Sequence, residues 1–209
     1  MLYYQSIDST ALELLKKIMT IPQFNELFLV GGTSLALQIG HRKSIDLDLF
    51  GKFNTDNREF AWILKKFDSV KLINETQNIK TYTIENIKVD FVNYPYSWID
   101  KIISKDGIRL VGMRDIAAMK LSAITGRGTK KDFIDLYFLL RYFNLNQMLN
   151  FYNQKYPDGS KFLVFKSLTY FEDAEDELTP VMLESVEWDE VKSTIVKETK
   201  LLIKNNSFS

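Results

Sequence analysis

Two aspartates one residue apart, Asp46 and Asp48, and the glycine pair Gly31-Gly32 upstream of them have the types and spacing that suit a reaction. On an extended strand, side chains two apart share a face. Asp46 and Asp48 then stand side by side while Leu47 and Leu49 turn to the core. Adjacent carboxylates repel, and a divalent cation relieves the repulsion; Mg2+ bound by a few carboxylates and substrate phosphates fits the layout. The alternating run Asn86–Val92 puts Asp90 on the face opposite Val89 and Phe91, as a third carboxylate. Two Mg2+ ions, with Mn2+ as a substitute, are expected on Asp46, Asp48 and Asp90, where they would bind the attacking and leaving oxygens of a transfer at phosphorus. Asp90 would also accept the proton of the attacking hydroxyl.

The glycine pair offers a place for substrate phosphates. Glycines let backbone N–H groups approach phosphate oxygens, and a helix starting there adds its positive N-terminus. Thr33 and Ser34 follow with hydroxyls, and Arg42 and Ser44 lie ahead of Asp46 on the same strand face if the strand reaches that far. Further on, Lys120 precedes Arg127 by two helical turns. Arg127, Lys130 and Lys131 gather at the glycine-broken turn Gly126-Arg127-Gly128, a place suited to phosphates. Each piece also has a plain reading: a turn, a helix N-cap, a solvated helix end with Asp132 in a local ion pair.

Strand, Gly-Gly, hydroxyl residue, helix and a strand carrying Asp-x-Asp, in that order, resemble the polymerase-β-like nucleotidyltransferase superfamily. The form Arg42-x-Ser44-x-Asp46-Leu47-Asp48-Leu49 is most similar to the AbiEii/AbiGii toxin branch, the toxins of type IV toxin–antitoxin systems. Lys120, then Gly126-Arg127-x-x-Lys130, then Asp132-x-x-Asp135 is similar to a second pattern of these toxins. The resemblance implies that Lys120, Arg127, Lys130, Asp132 and Asp135 contact the triphosphate and assist catalysis, and that Ser44 is a site residue. It implies a metal-dependent transfer from an NTP to a hydroxyl, with an RNA, first of all the tRNA 3′ end, as acceptor. It also implies a cognate antitoxin as partner.

The elements that must position these residues follow from pattern. Asp8–Met19 reads as an amphipathic helix capped by Ser6 or Asp8, Phe28–Val30 as a core strand, Thr33–Ile39 as a short helix and Asp46–Phe50 as the second strand. Arg58–Phe67 reads as a helix, and Val70–Asn74, Lys80–Ile84 and Ile87–Asn93 as an antiparallel meander. Beyond Pro95 the pattern turns helical, with segments at Met113–Ile124, Thr129–Tyr142, Leu145–Tyr156, Lys161–Tyr170 and Trp188–Asn205. The expected class is α+β: a mixed nucleotidyltransferase sheet with flanking helices over residues 1–107, then a helical part over 108–209.

Composition bounds the rest. The chain has no cysteine and one histidine, His41, which excludes disulfides, a cysteine nucleophile and a multi-histidine zinc site. His41 itself reads as a turn or surface residue. No apolar run has transmembrane length and the first residues lack a signal-peptide pattern, so no membrane partner and a cytoplasmic location are expected. Net charge is zero but uneven: between Lys101 and Lys131 eight basic residues meet only Asp106 and Asp115, which suggests an anionic partner such as an RNA backbone. Phe171–Glu190 carries nine acidic residues and no basic one, which would face a basic partner or fold over the basic segment. Tyr94, Tyr96 and Trp98 would stack a base or pack inward. Alternative functions are nucleotidyl transfer to a small molecule of aminoglycoside type or to a protein hydroxyl, and a module that binds NTP or a partner without turnover.

Overall fold

Leu47–Gly51 and Ile87–Asn93 alternate buried with half-buried or exposed residues, the signature of strands with one face on a core. The computed structural model describes residues 1–206. Its chain forms two compact units, Met1–Tyr96 with Lys101–Val111, and Ser97–Asp100 with the residues from Gly112 onward.

The first unit is built on a mixed sheet of β1 (Leu27–Leu29), β2 (Leu47–Gly51), β3 (Val70–Glu75), β4 (Ile79–Ile84), β5 (Ile87–Asn93), β6 (Ile103–Lys105) and β7 (Ile108–Leu110). The spatial order is β3-β4-β5-β2-β1-β7-β6. β3, β4 and β5 form the expected antiparallel meander, whereas β2 pairs parallel with β5 and β1 parallel with β7. Helices α1 (Ser9–Met19), α2 (Gly31–Ile39) and α3 (Asn57–Leu64) complete the unit. Asp8 caps α1 by accepting from the Thr10 and Ala11 amides, and the helix buries Ala11, Leu14, Leu15, Ile18 and Met19. Phe24, Phe60 and Phe91 meet at ring-centroid distances of 5.1–5.2 Å, and fully burying such a side chain contributes roughly 1.5–3 kcal/mol. The same core holds Leu47, Leu49 and Val89, so the strands that carry the candidate carboxylates are anchored from beneath.

Beyond Pro95 the expected helical region does not begin at once. β6 and β7 form a hairpin whose turn residues Asp106 and Gly107 have φ of 52° and 79°. An Asp-Gly pair accepts that left-handed backbone more readily than other dipeptides, and β7 then extends the sheet beside β1.

The second unit contains α4 (Met113–Gly126), α5 (Lys130–Leu139), α6 (Leu145–Lys155), α7 (Lys161–Ser167), α8 (Glu172–Glu175) and α9 (Trp188–Asn206). Asp115 of α4 accepts from the Ile99 and Asp100 amides and takes the Lys155 ammonium at 2.7 Å; neither charged side chain is exposed to solvent. Lys155 also donates to the Ser97 carbonyl and lies 4.3 Å from the Trp98 ring centroid. Burial pulls the Lys155 ammonium below the ordinary lysine range, against the opposing pull of Asp115.

Candidate active site

Asp48 and Asp90 are direct register partners on the parallel strands β2 and β5. Partners in register project to the same face of a sheet, so the two carboxylates leave it together. Asp46 lies one residue ahead of β2, half-buried, and its carbonyl accepts from the Thr33 hydroxyl. Thr33 Oγ1 is also 2.8 Å from Ser44 Oγ, so both hydroxyls fasten the approach to β2 rather than stand free for a phosphate. Ser34 Oγ accepts from Gln38 one turn along α2. Arg42, which is buried, donates to the Lys43 carbonyl. β2 begins at Leu47, and therefore does not extend to Arg42 and Ser44; Ser44 instead makes an isolated parallel bridge to Ile7.

Gly31 opens α2 with φ of 67°, and a Cβ there would collide with Asp48 Oδ2. The first glycine of the pair is thus required twice, for its left-handed backbone and for the close approach of a carboxylate. The first turn of α2 carries backbone N–H groups without intrahelical partners, and the Gly31-Gly32 end of that helix stands next to Asp48.

Asp90 is held on one side only. Its Oδ2 accepts from Lys88 Nζ at 2.8 Å, and its Oδ1 is buried with no hydrogen-bond partner among the described residues. Burial alone would lower the Lys88 pKa; the hydrogen bond to Asp90 and the charges of Asp90, Asp48 and Asp46 outweigh it and hold the ammonium above the ordinary lysine range. Among the described residues no three carboxylate, histidine or cysteine side chains stand close enough to enclose a metal ion. The pair Asp48 and Asp90, with an oxygen of Asp90 buried and unsatisfied, is nonetheless a hard-oxygen donor set that fits Mg2+ or Mn2+. Sequence reasoning missed Lys88, although its position two before Asp90 repeats the spacing of Asp46 and Asp48.

In the second unit Lys120, Asp132 and Asp135 meet in the interior, with Lys120 Nζ 2.8 Å from Asp132 Oδ1 and 2.5 Å from Asp135 Oδ2. Thr129, the residue before α5, donates its hydroxyl to Asp132 Oδ2 rather than capping the helix backbone. Burial would raise the Asp132 pKa, but Lys120, Thr129 and Arg127 outweigh it and hold the carboxyl below its ordinary value of 3.8. Arg127 reaches Asp132 at 3.7 Å with two-thirds of its side chain in solvent, whereas Lys131 is half-buried. Lys130 is buried and donates to the carbonyls of Glu175 and Glu177, with the Trp188 ring 5.2 Å from its ammonium.

The acidic stretch therefore folds onto this unit's own cations: Glu177 accepts from the Lys130 amide, Glu175 pairs with Lys192 and Glu184 with Arg141. The basic segment is likewise partly consumed within the protein. Arg109 donates to the Met19 and Phe24 carbonyls and Arg114 pairs with Asp100, in addition to the buried Lys120 and Lys130. Lys101 and Lys105 remain exposed. His41 is buried, not at the surface as its neighbour Gly40 suggested. Tyr94 packs on Phe50 and on the partly exposed Tyr96.

Residues 13–204 match the family described as nucleotidyl transferase AbiEii toxin, type IV toxin–antitoxin system. The uncharacterized protein aq_aa25 of Aquifex aeolicus is 32% identical over 201 residues, covering 92% of this chain and 96% of the relative. Among solved structures, MenT4, a nucleotidyltransferase toxin of Mycobacterium tuberculosis, has a TM-score of 0.63 at 17% identity over 89% of this chain and 79% of its own. JHP933 of Helicobacter pylori has a TM-score of 0.55 at 17% identity over 96% and 94% of the two chains. At that identity the two structures speak for the fold alone. No helix among the described residues is long and apolar enough to cross a membrane.

Proposed function

Since the chain belongs to the AbiEii nucleotidyltransferase toxin family, we propose that Asp48 and Asp90 are the metal-binding heart of its active site and that it transfers a nucleotidyl group from an NTP to an RNA 3′ hydroxyl, tRNA being the first acceptor to test. The observation that carries the reading is the register of Asp48 with Asp90 beside the Gly31 end of α2. Asp48 and Asp90 would hold Mg2+ or Mn2+, with Asp46 as a further carboxylate within charge range. Bound there, the ion supplies Lewis-acid stabilisation of charge on the reacting phosphoryl group.

The chain's own residues do the rest. Gly31 and Gly32 leave the first turn of α2 open to the triphosphate, whose anionic oxygens suit a helix N-terminus. Thr33 and Ser44 set the position of the Asp46–Asp48 segment through their shared hydrogen bond. Asp90, whose buried Oδ1 is unsatisfied, is the candidate acceptor for the proton of the attacking hydroxyl. In the second unit Lys120 fixes Asp132 and Asp135 by charge, and Arg127, within 3.7 Å of Asp132, keeps two-thirds of its side chain in solvent. The RNA acceptor rests on family resemblance together with the exposed Lys101, Lys105 and Arg127. A cognate antitoxin rests on the family alone.

The test is incubation with each labelled NTP, Mg2+ and total tRNA. Label on RNA with the wild type and none with Asp48→Asn supports the reading. Nucleotide binding without transfer to RNA, small molecule or protein would instead make the chain a binding module.

A further inference from the structure

Cross-strand register sets two rows of side chains on the sheet face that carries Asp48 and Asp90. Asp90 has Thr81 as partner and Thr81 has Asn74, so one row runs Asn74, Thr81, Asp90, Asp48 from β3 to β2. Lys88 pairs with Thr83, and Thr83 with Lys71, which makes a second row. Lys88 and Asp90 are two residues apart and their side chains meet at 2.8 Å, so both rows share one face. Lys71 and Asn74, three residues apart, would point to opposite faces of a regular strand. A bulge between Leu72 and Asn74 brings both to this one, and bulges beside reaction sites re-aim side chains in this way. Lys71 and Asn74 are exposed, Thr83 is half-buried and the Lys88 side chain is 45% exposed.

We propose that Lys71, Asn74, Thr83 and Lys88 form the track on which the phosphate backbone of an RNA acceptor lies as its 3′ hydroxyl reaches Asp90. The inference rests on the RNA-directed reading above and deepens it by giving the acceptor a surface. In the spatial order β3-β4-β5-β2-β1, Gly31 follows β1, on the side of Asp48 away from β5. The attacking and leaving oxygens at phosphorus lie roughly in line. With the triphosphate at Gly31, pyrophosphate leaves toward β1, and the acceptor has to come from the side of β5, β4 and β3, where the two rows stand. Its oxygen bonds to the α-phosphorus as the bond to the bridging oxygen of the β-phosphate breaks, and its proton passes to Asp90. Lys71 and Lys88 stand two strand spacings apart, about 10 Å, and each flexible stem can take a separate phosphate. Thr83 and Asn74 add neutral hydrogen-bonding groups beside them. The same two ammonium groups repel a cationic acceptor of the aminoglycoside type.

The test is binding of labelled total tRNA across a salt series, together with transfer kinetics in which NTP and tRNA are varied separately. Lys71→Glu is expected to weaken tRNA binding about tenfold, and Lys71→Ala to lower the salt slope by about 0.7, one phosphate contact to a single strand. With Lys71→Glu the KM for tRNA should rise while kcat and the KM for NTP hold, and Lys71→Arg should bind as the wild type does. Asn74→Lys adds a cation to the track and should bind more tightly. Lys65→Glu makes the same charge change at the end of α3, whose Phe60 packs on Tyr82 and Phe91 at the opposite, core face of the sheet. It should leave binding unchanged, and thermal melts confirm that each variant is folded. Unchanged binding in either Lys71→Glu or Asn74→Lys, or an equal loss in Lys65→Glu, overturns the track while transfer to RNA by the wild type stands. A raised KM for NTP in place of that for tRNA also overturns it, since the face would then serve the nucleotide. Transfer by the wild type to a protein or small molecule but not to tRNA overturns the inference together with the RNA reading beneath it.

Discussion

Asp48 and Asp90, forty-two residues apart in sequence, are adjacent in space because β2 and β5 run parallel and in register. Both project from the sheet face outside the hydrophobic core, where a charged group contributes little to stability. Asp48→Asn and Asp90→Asn should therefore change the melting temperature little, since an exposed pair such as Lys88–Asp90 contributes little. The same variants should lower nucleotidyl transfer by about a hundredfold or more, the usual cost of losing a group that stabilises transition-state charge. Labelled-NTP transfer and thermal melts on the same preparations check both halves.

Gly31→Ala tests the approach of Asp48 to α2. The new Cβ would meet Asp48 Oδ2, and an alanine would have to hold a φ of 67°. A non-glycine residue in that region costs about 1–2 kcal/mol. The variant should be destabilised by that order in urea denaturation and should lose transfer activity as the carboxylate is pushed aside. Gly126→Ala, where a Cβ meets nothing within 4 Å, is the matched control and should lose neither.

Much of the first unit was legible because local chemistry and fold agree there. Gly31-Gly32 needs glycine for a steric reason, and Asp46-Leu47-Asp48-Leu49 alternates as a half-buried strand must. The β6–β7 hairpin was not legible. Each of its strands has three residues, too short for periodicity to register, and the Asp106-Gly107 turn was read only as part of a basic segment. The fate of that segment was hidden for a different reason. A count of charges cannot show that Arg109 reaches the carbonyls of Met19 and Phe24, far back in the chain, or that Lys120 is buried between Asp132 and Asp135 of the next helix.

Lys120→Met removes an ammonium that both Asp132 and Asp135 contact. Breaking a buried pair by deleting one partner costs about 3–5 kcal/mol, because the remaining charge stays buried without compensation. The expected result is a large fall in the urea midpoint, much of it recovered in the triple variant Lys120→Met, Asp132→Asn, Asp135→Asn. A loss of less than about 1 kcal/mol for the single variant, the range of an exposed pair, would show that these groups are not held as a buried cluster.

Acid stability provides the last test. Asp132 has its folded-state pKa held below 3.8 by Lys120, Thr129 and Arg127 despite burial. Its contribution to stability is therefore complete above the unfolded value near 3.8 and is lost as pH falls toward the folded value, because the unfolded chain takes up the proton first. Between those two values one such group changes stability by about 1.4 kcal/mol per pH unit. Urea midpoints measured from pH 5 down to pH 2.5 should fall more steeply for the wild type than for Asp132→Asn, with the two slopes alike above pH 5. Parallel curves throughout the acid range would mean that Asp132 keeps an ordinary pKa and that Lys120 does not hold it in its charged form.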